Sequence, residues 1–262
     1  MEFFAEDSYT TSETTKRYLI DKTLNSRHYL VANYVAILLR ARVAITRGRN
    51  SVEARAKRAF DIFRLVEGCG GRFHMTGRDN IRKCDGPTLF VSNHMSTLEA
   101  NIFPCLLAPC SPMTFVIKRS LLKYPIFGPI LESTNPITVN RVNPREDFQK
   151  VMQDGQALLQ QGVSLVIFPQ STRSDRFDPE QFNSLGVKLA RRAKVKILPI
   201  ALKTDFWGNG RAIRDFGPIH REKRIHFAFG EPFSPEGSAK VAHKRVLDFI
   251  QGRMGEWAER NA

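Results

Sequence analysis

Thr88-Leu89-Phe90-Val91-Ser92-Asn93-His94-Met95-Ser96-Thr97-Leu98-Glu99 is the stretch from which the rest of the chain can be read. Asp85-Gly86-Pro87 bounds it in front, and its β-branched and aromatic residues read as a short buried strand. The strand stops at Asn93-His94, and Ser96 or Thr97 can cap a following helix. Open α/β sheets bind ligands at the exits of buried strands, so His94 stands at a place where chemistry is expected. His94 and Glu99 are five residues apart and cannot share one face of a regular helix. They can meet if His94 lies on the turn and Glu99 in the first helical turn. A carboxylate that fixes the tautomer of an imidazole and stabilises its protonated form makes that imidazole a general base.

The 262 residues suffice for one large core with an appendage, and a hydrophobic content of 42% with 19 Phe excludes a disordered chain. The net charge of +14 favours anionic partners: phosphorylated small molecules, an anionic membrane surface or nucleic acid. The basic residues are not interleaved with aromatics in a nucleic-acid motif, so no nucleic acid is expected as a partner. Cys69, Cys84, Cys105 and Cys110 form no C-x-x-C pair and have no His at zinc-ligand spacing; they read as reduced structural cysteines, and no metal site is expected. Met1 to Asp7 is acidic and has neither the charged nor the apolar region of a signal peptide, which fits a chain that is not exported.

Residues 1–16 are polar and read as a loose arm. Residues 17–66 read as two helices joined near Gly48-Arg49-Asn50. The apolar run Tyr29 to Leu39 in the first is shorter than the roughly 20 residues of a membrane span and contains Asn33. The second, opened by Ser51, spaces Phe60, Phe63 and Val66 helically. Arg27, Arg40, Arg42, Arg47, Arg49, Arg55, Lys57, Arg58 and Arg64 surround these faces, a pattern that fits a hairpin with its apolar face in lipid and its arginines at headgroups, the favoured reading, or a helical pair packed on the domain with a solvated basic side. Beyond residue 66, strands and helices alternate, which argues an α/β fold: a mixed, largely parallel central sheet flanked by helices. Domains are therefore expected at 1–66, an arm and interfacial hairpin, and at 67–262, the α/β domain. Asn143-Pro144-Arg145-Glu146 is a helix start with a capping side chain and Pro at the first position. Pro199, inside the strand Val195 to Leu202, points to an edge or a bulge.

Four strand exits carry functional groups: His94 with Glu99, Lys118-Arg119, Asn140-Arg141 and Thr172-Arg173. If the strands run parallel, these exits share one edge and form a basic cleft around one imidazole and one carboxylate. Arginine forks and turn amides suit phosphate. The chain has no G-x-S-x-G, H-E-x-x-H, G-x-x-x-x-G-K-[ST] or G-x-G-x-x-G motif. Ser96 and Ser171 stand near the candidate base without a nucleophile's usual setting. A base without a protein nucleophile suggests direct transfer, in which a substrate hydroxyl loses its proton to His94 and attacks an activated acyl group. A non-catalytic basic module binding anionic lipid or nucleic acid is the other reading.

These residues bring the chain to a known family. It resembles the lysophospholipid acyltransferases, typified by the bacterial 1-acyl-glycerol-3-phosphate enzymes, over about residues 72–232. The family's N-H-x-x-x-x-D is matched by Asn93-His94 through Glu99, and its Gly-containing stretch ending in Arg by Gly128 through Arg141. Its F-P-E-G-T-R-S is matched by Phe168-Pro169-Gln170-Ser171-Thr172-Arg173-Ser174, and its proline-containing strand by Ile197 to Leu202. The resemblance implies His94 as general base, Glu99 as its orienting carboxylate, and Arg173 with Arg141 on the acceptor phosphate. It also implies a lysophospholipid acceptor, acyl-CoA or acyl carrier protein as donor substrate with no further cofactor, and a peripheral position on the cytoplasmic face of the membrane. Lys118 is added from its strand-end position as a contact to acceptor phosphate or acyl donor. Ser171 and Thr172 fall within the third block and join the substrate-binding set. Three departures stand out: Glu99 for Asp, Gln170 for Glu, and Ser171 for Gly. The first is expected to keep catalysis, and the other two bear on acceptor identity.

Overall fold

The computed structural model describes residues 3–107, 112–170, 172–211 and 213–259. All of Leu89–Ser92 (β3), Ser164–Ile167 (β6) and Ile225–Phe229 (β8) is buried, as is all but the last residue of Ile197–Lys203 (β7). Continuous apolar runs of this kind satisfy a sheet covered on both faces. The remaining strands are Tyr9–Thr10 (β1), Phe73–Thr76 (β2), Met113–Lys118 (β4) and Ile137–Val139 (β5), and the order across the sheet is β1-β2-β8-β7-β3-β6-β4-β5. Five neighbours, β7, β3, β6, β4 and β5, run parallel, so their carboxyl ends share one edge. The β7–β8 pair is antiparallel and reverses the sheet beyond β7.

One face is covered by His28–Thr46 (α2), Val52–Gly68 (α3) and Leu98–Leu107 (α5), which place Leu30, Tyr34, Phe63, Ile102 and Phe103 in a common core. The other face carries Pro144–Gln160 (α7), Leu185–Ala193 (α8) and Ala239–Glu259 (α9), with Val151, Leu159, Leu189, Val246 and Ile250 in the second core. Short helices Leu19–Leu24 (α1), Asp79–Arg82 (α4) and Phe127–Glu132 (α6) precede α2 and fill the β2–β3 and β4–β5 connections. In α6, a Cβ on Gly128 would lie 2.1 Å from the Leu122 carbonyl oxygen, so glycine permits the close crossing inside the second matched block. Asn143 caps α7 as its sequence promises, its Oδ1 accepting from the Arg145 and Glu146 amides.

Several expectations need correction. Residues 3–16 are not a loose arm: β1 pairs with β2, Phe4 is buried, and Tyr9 and Thr11 hydroxyls both donate to buried Glu67 at 2.6 Å. The helical pair starts with a separate short helix, because Asn25 adopts φ 41° and breaks the chain before α2. α3 does not offer its apolar face to lipid. Phe63 and Val66 are fully buried, and the Phe63 ring stacks on Phe73 at 4.0 Å, so that face is spent on the sheet. α3 also continues two residues past the boundary drawn at 66 and belongs to the first core. α2, read from its apolar run as too short to span, is a 19-residue helix long and apolar enough by length and composition to cross a membrane. Of the two readings of Pro199, edge or bulge, the bulge holds and the edge does not, because β7 lies between β8 and β3. Pro199 is tolerated there because two β7 residues lie opposite three of the partner chain between the Ile200↔Phe229 and Ile197↔Phe233 pairs, a local bulge.

Candidate active site

The loop leaving β3 is fastened from several sides. The Asn93 amide pairs both ways with the Leu202 backbone at 2.8 and 2.9 Å, locking the exit of β3 to β7. The His94 amide donates to Gln170 Oε1 at 2.8 Å, and the Ser174 amide donates to the His94 carbonyl at 3.0 Å. The first and third matched blocks therefore form one constellation. Gln170 supplies a neutral acceptor where it is needed and leaves no carboxylate to bury beside the histidine.

Glu99 is the second residue of α5 and is fully buried. Its Oε1 accepts from His94 Nδ1 at 2.9 Å, from the Met95 amide at 2.7 Å and from the Ser96 amide at 2.8 Å. Its Oε2 accepts from Ser96 Oγ at 2.8 Å and Thr204 Oγ1 at 2.7 Å. Burial opposes the charge on Glu99. The His94 hydrogen bond and charge, the Thr204 hydroxyl and the Ser96 amide together outweigh it and hold the carboxyl at about 2. An ionised carboxylate accepts only, so Nδ1 of His94 carries the proton and Nε2 is left as the basic nitrogen. The imidazole stacks on Phe168 with ring centroids 4.1 Å apart, which fixes its plane. A held acid, a set tautomer and a fixed ring are the parts of a general base.

Arg173 ion-pairs with Asp215 at 2.8 Å, and Thr172 Oγ1 accepts from Arg214 at 2.5 Å. Both residues thus lie against the segment that follows β7, which Asn209 fastens to the His94 turn by donating to the Met95 carbonyl. Trp207 in that segment is a packed core residue, fully buried against Tyr34. Ser171 lies outside the described residues. Lys118 ends β4 and Arg141 follows β5; both are exposed on the same sheet edge as His94. They stand two and three strands from β3, about 10 and 14 Å across the sheet. The structure brings together His94, Glu99, Thr172 and Arg173, with Lys118 and Arg141 farther along the rim.

Sequence reasoning passed over Thr204, treated Gln170 only as a departure bearing on acceptor identity and weighed Ser96 only as a cap or nucleophile. Thr204 did leave a signal: it is the first polar residue with a hydroxyl beyond β7, at a fifth exit on the same edge. Among the described cysteines, half-buried Cys84 donates to the Asn80 carbonyl and precedes β3, at the opposite end of that strand from His94. Cys69 and Cys105 are buried, and burial pushes the Cys69 thiol up to about 12.

The family model "Acyltransferase" matches residues 72–203, which contain the histidine turn, the third block and β7. A 1-acyl-sn-glycerol-3-phosphate acyltransferase of Pseudomonas aeruginosa is 33% identical over 132 residues, covering 50% of this chain and 49% of that protein. The chloroplastic enzyme of the same description from Arabidopsis thaliana is 27% identical over 185 residues, 67% of this chain and 50% of its own. The chain spans about half the length of these curated relatives. A crystal structure of the 1-acyl-sn-glycerophosphate acyltransferase of Thermotoga maritima shares the fold with a TM-score of 0.61 at 20% identity, over 91% of this chain and 93% of that one. With its family match covering half of its length, this chain belongs to the acyltransferase family.

Proposed function

We propose that the protein transfers a fatty acyl group from a thioester, on CoA or acyl carrier protein, to the free hydroxyl of a lysophospholipid, with 1-acyl-glycerol-3-phosphate as the preferred acceptor. The observation that carries this is the His94–Glu99 pair in a family whose curated relatives bear that activity in their names. Nε2 of His94 takes the hydroxyl proton as the oxygen attacks the thioester carbonyl. The C–S bond then breaks, and the imidazolium returns the proton to the departing thiolate. Products are the diacyl lipid and a free thiol, and no acyl-enzyme forms. Arg173 spends one of its five donors on Asp215 and has others for the acceptor phosphate, with Arg141 and Lys118 farther out on the rim. α2 holds the enzyme peripherally on an anionic membrane surface, where both lipid substrates reside.

The test is acceptor-dependent thiol release from a panel of acyl-CoAs and acyl carrier proteins, wild type beside His94→Ala. The wild type is expected to release thiol with lysophosphatidic acid and the variant to lose this by at least about a hundredfold, with an unchanged melting curve. Turnover retained in the folded variant removes His94 from the mechanism. No release by wild type with any donor and lysolipid overturns the reaction class.

A further inference from the structure

The fully buried carboxylate of Glu99 is held by two groups of different origin. Its Oε1 partners and Ser96 Oγ all belong to the turn that leads into α5, so they move with it. Thr204 does not. It is the first residue beyond β7, the strand paired to β3, and its hydroxyl reaches Oε2 from across the sheet at 2.7 Å. Ser96 Oγ also lies 3.0 Å from Thr204 Oγ1, closing a triangle of two hydroxyls and one carboxylate oxygen. All three side chains are at most 1% exposed, so water does not replace a missing partner.

We infer that Thr204 is a positioning residue for acyl transfer: it ties the Glu99 carboxylate to the sheet, and thereby holds His94 in its reactive tautomer. The torsion that turns a glutamate carboxylate is broad and must be set by its hydrogen bonds. With Oε1 given to His94 and two amides, Oε2 sets that rotation, and Thr204 is its one anchor outside the turn among the described residues. Removing the hydroxyl leaves a buried anion short of a donor, raises its affinity for a proton and weakens its hold on the imidazolium.

This rests on the acyl-transfer reading, and the tests separate the two. Thr204→Val keeps the shape and removes the hydroxyl, whereas Thr204→Ser keeps the hydroxyl. In the thiol-release assay, Thr204→Val is expected to lower kcat about tenfold with the acceptor KM unchanged. Thr204→Ser should restore wild-type kcat, and in a Glu99→Gln background Thr204→Val should cost little more. A wild-type kcat in Thr204→Val, or an equal loss in both backgrounds, overturns the inference. A second readout needs no turnover. In ¹⁵N spectra of histidine-labelled enzyme in detergent, His94 of the wild type should show Nδ1–H, and Thr204→Val a mixture of tautomers. An unchanged spectrum in the folded variant overturns it as well. Wild-type silence in the assay sinks the acyl-transfer reading, and the spectra then decide Thr204 alone.

Discussion

At the scale of single residues, Glu99 joins stability to mechanism. Its folded-state pKa, about 2, lies below the ordinary value of 4.5 because hydrogen bonds and the His94 charge overcome burial. The ionised form is therefore favoured by folding. That contribution is fully present above about pH 4.5 and disappears as pH falls through about 2. The shift corresponds to roughly 3 kcal/mol. Glu99→Gln should be less stable than wild type at pH 7, and the gap should narrow by about that amount as pH falls toward 2. Urea unfolding of both proteins at a series of pH values measures it, and a gap constant with pH refutes it. His94 and Glu99 were readable from the sequence because a turn can bring residues five apart together. Gln170 was not. Its role is to accept the His94 amide, and that partner lies 76 positions away.

Among the elements, α3 departs most from its sequence reading. A basic amphipathic helix fits a lipid surface and a protein core equally well, since both accept the same apolar face. The fold chose the core, with Phe63 between Phe73, Phe60 and Phe4. Phe63→Ala should cost about 3–5 kcal/mol through the cavity it leaves, with kcat of the surviving folded enzyme little changed. Chemical denaturation checks the first part and the thiol assay the second. A cost below about 1 kcal/mol would mean that this face is not a core. The helix start at Asn143-Pro144 was legible because a cap is local. β1 was not, because Tyr9 meets Met75 far along the chain.

For the whole molecule, the question is what the +14 charge faces. α2 buries Leu30, Tyr34, Leu38 and Ala41 and leaves Leu39 and Val43 nearly half exposed in a shallow groove with Arg40, Arg47 and Arg49. Apolar side chains ringed by guanidiniums suit an interface of acyl chains and anionic headgroups. The double variant Leu39→Asp, Val43→Asp should lose most flotation with phosphatidylglycerol vesicles yet keep its fold. Arg40→Glu with Arg47→Glu should also flatten the salt dependence of binding. Wild-type flotation by both variants would place the membrane contact elsewhere. Deleting residues 1–66 is a poor substitute, because it would remove most of α3 from the first core.

The sequence by itself determined the α/β class, the parallel edge that carries the functional groups, and the His94–Glu99 pair. Each of these depends on periodicity, strand exits or near neighbours, which a linear text records. Only the tertiary structure decided that the amino-terminal arm is a strand, that α3 belongs to the core, that Pro199 sits inside the sheet, and that Thr204 and Gln170 hold the histidine turn. Those outcomes depend on partners dozens of positions away. Apolar burial and hydrogen bonding reward whichever distant surface completes them, and a local pattern cannot name that surface.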